Sequence, residues 1–88
     1  MDEKVPTLDE IKGTIRAARD SVWVVTDSIQ KLAEGATPSE ELKGNIERNV
    51  AHLKHVTSSE HVTGSGEDIS DLLAAITAGE AKLAEKIW

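Results

Sequence analysis

The amino-acid sequence predicts an all-α fold, an antiparallel three-helix bundle with coiled-coil-like heptad seams, and three observations carry that expectation. Apolar residues recur at alternating steps of three and four. Thr-x-x-Glu start signals precede two of the runs. Polar connections containing glycine separate the runs.

The first helix is expected over residues 8–34. Thr7-Leu8-Asp9-Glu10 has capping-box form, in which the Thr hydroxyl takes the amide three residues on and Glu10 reaches back. From there Leu8, Ile11, Ile15, Ala18, Val22, Val25, Ile29 and Leu32 follow at steps of 3, 4, 3, 4, 3, 4 and 3. Such a seam is narrow and straight, and at about 1.5 Å per residue the helix is roughly 40 Å long. Gly35 supplies a left-handed stop, and Gly13 is a local weakness.

The second helix is expected over residues 38–56. Thr37-Pro38-Ser39-Glu40 repeats the start signal, with Pro38 at the first helical position, where its missing N–H costs nothing. Leu42, Ile46, Asn49, Leu53 and Val56 continue the spacing, and Val50 widens the stripe. Asn49 falls on the seam itself, where one polar residue fixes register or partner number, or else needs a local partner.

A flexible connection is expected over 57–66, "TSSEHVTGSG", and then a third helix over 66–87 with Ser65 as its cap. Glu67, Asp68 and Asp71 near its start and Lys82 and Lys86 near its end suit the helix dipole. Its seam is Ile69, Leu72, Ile76, Gly79, Leu83 and Ile87 (or Lys86), broadened by Leu73. Gly79 either admits a neighbouring helix closely or marks a bend. Two short connections make the bundle antiparallel.

The run Val22-Trp23-Val24-Val25 is β-prone, yet the heptad passes through it without a slip and no turn residue flanks it. With Val22 and Val25 on the seam, Trp23 and Val24 stand about 130° to either side of it, at roughly 100° per residue. Both cannot belong to one two-helix contact. Either helix 1 is central and both are core, or one lies on an apolar patch that meets another chain. Lys12, Arg16, Arg19 and Trp23 are spaced 4, 3 and 4 and share one face. A basic stripe ending in an indole has the composition of a protein contact, because Trp and Arg are the usual anchors. The plainer alternative is an Arg19 stem laid across Trp23 with solvated charges beyond. The expected partner-binding residues are therefore Lys12, Arg16, Arg19, Trp23 and Val24.

Bulk properties point the same way. Eighty-eight residues, 39 % hydrophobic and 30 % charged, are expected to form one globular domain with a core of marginal size. There is no Phe or Tyr, so the core is aliphatic and its stability margin thin. Small chains relieve such margins with metals, disulfides or oligomerisation. The absence of cysteine removes disulfides and agrees with a reducing compartment, so a cytoplasmic location is expected, the host cytoplasm for a viral source. A homodimer or a protein partner is the expected relief, with helix 1 outrunning the cover that its own chain provides. The acidic start Met1-Asp2-Glu3 and the lack of any apolar run longer than four residues argue against a leader or membrane span. A net charge of −6 disfavours nucleic acid, leaving only the small Lys12-Arg16-Arg19 footprint for it.

No catalytic set can be named, and no cofactor is implied, so an enzyme is not expected. His52 and His55, three apart, and His61 beside Glu60 are the candidates for Zn²⁺ or Ni²⁺, and strong metal motifs would add a second fixed pair. "TGSGED" before helix 3 offers amides to an anion but lacks the Lys and preceding strand of a phosphate loop, and Glu67 and Asp68 would repel phosphate. In size, acidity and lack of motifs the chain is similar to small phage-encoded or accessory bacterial proteins, inhibitors of host defence and adaptors among them, with no residue-level match. The expected function is thus a small acidic helical module that binds a partner or itself. The alternative is a metal- or anion-binding helical protein using His52, His55 and His61.

Overall fold

A computed structural model describes residues 6–88, and the acidic start Met1-Asp2-Glu3 lies outside them. The described chain has four helices and no strand: α1 (Leu8–Ala33), α2 (Glu40–Thr57), the single turn α3 (Glu60–Thr63) and α4 (Ser70–Leu83). The three long helices pack on one another, and α1 and α2 share the most extensive contact. Arg19 meets Asp71, and a side chain at position 79 would meet Val25, so α1 and α4 rise together. Position 79 also abuts Ile46 and Val50, while Val56 lies beside Ile11 at the opposite end. Hence α2 runs antiparallel to both.

The limits of α1 follow from its caps. Thr7 is extended and its hydroxyl accepts from the Glu10 amide at 3.1 Å. At the other end Gly35 adopts φ +101°, and the amides of Gly35 and Ala36 donate to the carbonyls of Leu32 and Lys31 at 3.1 and 2.9 Å. That is a Schellman closure, which needs a residue at ease in the left-handed region.

Elsewhere the expected ends shift. Ser39, not Thr37, caps α2, with its hydroxyl accepting from Leu42 at 3.2 Å. Pro38 therefore stands before the cap and not at the first helical position, and the helix begins two residues later than expected. The third long helix is shorter than 66–87 at both ends. Gly66 has φ +80°, outside any right-handed helix, and Ser65 accepts only from the Glu67 amide at 3.2 Å. The effective stop for the orphan amides is Asp68, whose Oδ1 accepts from the amide and hydroxyl of Ser70 at 3.0 and 2.7 Å. At the far end the Trp88 indole folds back and donates to the Lys82 carbonyl at 3.1 Å, leaving Ile87 outside α4 and 42 % exposed. The connection 57–66, expected to be flexible, contains α3, because Val62 is buried against the bottom of the core.

Ile46, Leu53, Leu72 and Val25 are the largest fully buried side chains, each worth about 1.5–3 kcal/mol of transfer free energy. The seam of α1 is followed in part. Ile15, Ala18 and Val25 are buried, Val22 and Ile29 are half-buried, and Leu8 at the open end is exposed. Ser21 and Ser28, one residue before Val22 and Ile29, are buried instead, so the covered stripe is rotated toward them. Asn49 donates to the Asn45 carbonyl at 2.6 Å and is thus satisfied inside its own helix. Gly79 is where the three helices come closest: a Cβ there would overlap Val50 and stand 3.3–3.4 Å from Val25 and Ile46. The glycine marks close approach.

Candidate interaction surface

The outward face of α1 holds the residues that the sequence grouped. Trp23 is 68 % exposed, the most exposed large apolar side chain described, while Val25 two positions on is fully buried. Val24 is half-buried. Of the two readings of this run, the indole thus goes outward and the seam valines inward. Beside the ring, Thr26, Asp27 and Gln30 complete a shallow depression. Its polar groups are held locally: Asp27 pairs with Lys31 at 3.1 Å, and the Gln30 amide donates to Glu34 at 2.9 Å.

The basic half of the face is partly engaged within the chain. Arg19 does not lie across Trp23. Its Nε donates to Asp71 Oδ2 at 3.0 Å and its Nη2 to the Asp68 carbonyl at 3.2 Å. Lys12 stands 3.6 Å from Glu67. These pairs tie α1 to the acidic start of α4, and each is half-exposed, worth under about 1 kcal/mol. Arg16, between them, is exposed and has no ion-pair partner among the described residues. It lines a small cleft with Lys12, Ile15, Arg19 and Glu67.

Asp68 shows what this junction does electrostatically. The Ser70 hydroxyl and then the Ser70 amide hold its carboxyl below the ordinary value of 3.8, with Arg19 adding to the effect against a small desolvation cost. Beyond suiting the helix dipole, Glu67 and Asp71 have a second role, as counterions of Lys12 and Arg19 on α1. The signal was present in the sequence, since a basic stripe on one helix and an acidic first turn on another are natural mates.

The remaining candidates are scattered. His52, His55 and His61 are all exposed. His55 and His61 line one shallow pocket with Pro6, Ile11, Thr14 and Val62, and His52 is not part of it. Among the described residues, no three His, Asp or Glu side chains come together as a metal-binding set. In "TGSGED", Ser65 and Asp68 already occupy the amides of Glu67 and Ser70. A larger open groove of about 700 Å³ runs between the start of α2 and Trp88, lined by Pro38, Ser39, Glu40, Lys43 and Glu47. It presents two carboxylates and one ammonium without a nucleophile–base pair. No helix among the described residues is long and apolar enough to cross a membrane. Set beside known protein families, curated proteins and solved structures, the chain matches none of them.

Proposed function

We propose that this chain is a small helical interaction module that acts by binding protein through the outer face of α1, without catalysis of its own. The observation that carries the reading is Trp23: an indole two-thirds exposed at mid-helix, bordered by a shallow depression and on the same helix face as Arg16 seven residues before it. An exposed ring of this size contributes nothing to its own core, and Trp and Arg are the side chains from which binding hot spots are built. Val24 supports the rim of that surface, and Lys12 and Arg19 hold its basic end in place. A cytoplasmic setting, the host cytoplasm for a viral source, goes with the cysteine-free composition.

The test is a photo-crosslinking residue placed at Gln30, at the edge of the ring, in the full chain expressed in its native cell. Adducts to a protein are expected, and Trp23→Ala should abolish them while leaving the melting temperature within about 2 °C, as for a surface substitution. Adducts that survive Trp23→Ala, or that form only from Leu73 on α4, would refute this assignment of the surface.

A further inference from the structure

The outer face of α1 is self-complementary about Trp23. Lys12 and Glu34 lie eleven residues to either side of the indole, Arg16 and Gln30 seven, and Arg19 and Asp27 four. All but Asp27 are exposed; Trp23 faces away from buried Ala18 and Val25, while Lys12, Arg16 and Arg19 flank the stripe and share a cleft with Ile15. The half before the ring is basic and the half after it acidic or amide. We infer that the occupant of this face is a second copy of the same chain, its α1 laid antiparallel across the first on a twofold axis at Trp23. The inference rests on the contact reading above and names its partner.

A twofold axis at Trp23 makes each residue meet the one equally far beyond the ring on the other copy. The two indoles then stack at the axis. Lys12, Arg19 and Asp27 exchange their half-exposed partners Glu67, Asp71 and Lys31, so that Lys12 of each copy faces the second copy's Glu34, Arg19 faces Asp27, and Arg16 faces the Gln30 carboxamide. Gln30 spends its NH₂ group on Glu34, which leaves its carbonyl oxygen to accept from the guanidinium. A parallel arrangement would instead set Lys12 against Lys12 and Glu34 against Glu34, so charge selects the antiparallel one.

Size fixes the strength. From Lys12 to Glu34 the contact line is about 33 Å at 1.5 Å per residue, and a helix presents a strip about 10 Å wide. Roughly 300 Å² per copy is well below the ~800 Å² of a stable interface, so the dimer is a weak, transient one. Its ion pairs are exposed, so it loosens as salt is raised.

The chain is to be examined by sedimentation equilibrium over ~10–500 µM, concentrations at which a weak dimer is populated. Wild type should show reversible dimerisation, weakened about tenfold or more by Trp23→Ala. Lys12→Glu and Glu34→Lys should each weaken self-association, since each places like charges opposite one another twice. An equimolar mixture of the two should restore pairing, because the heterodimer regains both salt bridges. Both positions are exposed, and far-UV circular dichroism of each variant alone confirms that it is folded. A wild type that stays monomeric throughout, or a mixture that pairs no better than its components, overturns the inference. A monomer that still gives Trp23-dependent adducts from Gln30 would leave the contact reading standing with another occupant, whereas loss of those adducts would remove the reading beneath it.

Discussion

Replacing Gly79 with Ala sets two effects of opposite sign against each other. Alanine is the better helix former by about 1 kcal/mol, so on propensity alone the variant should gain stability. The added Cβ, however, would overlap the Val50 methyl and press on Val25 and Ile46, at 3.3 and 3.4 Å. Val50 cannot swing aside cheaply, because a β-branched side chain on a helix has one strongly preferred rotamer. Extra atoms in a packed core cost about 1–3 kcal/mol, which offsets the propensity gain and leaves a net loss of up to about 2 kcal/mol. For a chain of this size that lowers the melting temperature by up to roughly 10 °C. Gly13 is the control: a Cβ there meets nothing within 4 Å. Gly13→Ala should therefore stabilise by about 0.5–1 kcal/mol. Urea melts of both variants by far-UV circular dichroism measure the difference, with Val50→Ala added to Gly79→Ala to relieve the overlap. If Gly79→Ala stabilises as much as Gly13→Ala, or if Val50→Ala costs the same with and without it, the three helices do not meet at Gly79 as described.

Two further outcomes follow from the junction and from the histidines. The Asp68 carboxyl is held below its ordinary value in the folded chain, so its contribution is present above that value and is lost as pH falls through the folded one. Acid unfolding of wild type should steepen below pH ~4, and Asp68→Asn should flatten that limb by removing a charge that Ser70 and Arg19 stabilise only in the folded state. Calorimetric titration with Zn²⁺ should give no site tighter than about 1 µM, because two imidazoles on an exposed pocket leave half of a tetrahedral shell to water. A tight 1:1 site that disappears in His55→Ala would transfer the function to metal binding.

The sequence carries the body of each helix better than its ends. Period and caps agree at α1, where Thr7 and Gly35 both act as their residue types imply. At α2 two hydroxyls compete for one role, and Ser39 takes it by accepting from the Leu42 amide. At α4 the apolar period continues past Leu83, but it carries no information about the Trp88 indole claiming the Lys82 carbonyl. α3 was hidden for a different reason. One buried valine suffices to anchor a turn, and a single residue has no period. On the candidate surface, spacing placed Lys12, Arg16, Arg19 and Trp23 on one face, while the engagement of Arg19 by Asp71 depended on which helix lies alongside α1. That is a fact of packing across 52 positions of chain.

The unequal lengths of the helices set how the molecule opens. α4 has 14 residues, has at its N-cap Ile69 a side chain that can accept no hydrogen bond, and is tied to α1 by half-exposed ion pairs. A helix that short is marginal by itself in water. α1 and α2, with 26 and 18 residues, hold one another along their length. Thermal fluctuation should therefore release α4 before the helical hairpin parts, baring Val25, Ile46 and Val50 together. Amide protons of α4 would then exchange with solvent ahead of those at Leu53 and Val25, as a cooperative unit of lower opening energy. In that partly open state the chain carries a second sticky surface, on the side away from Trp23, and the speed with which α4 returns sets how long it stays vulnerable to proteases and to non-native association.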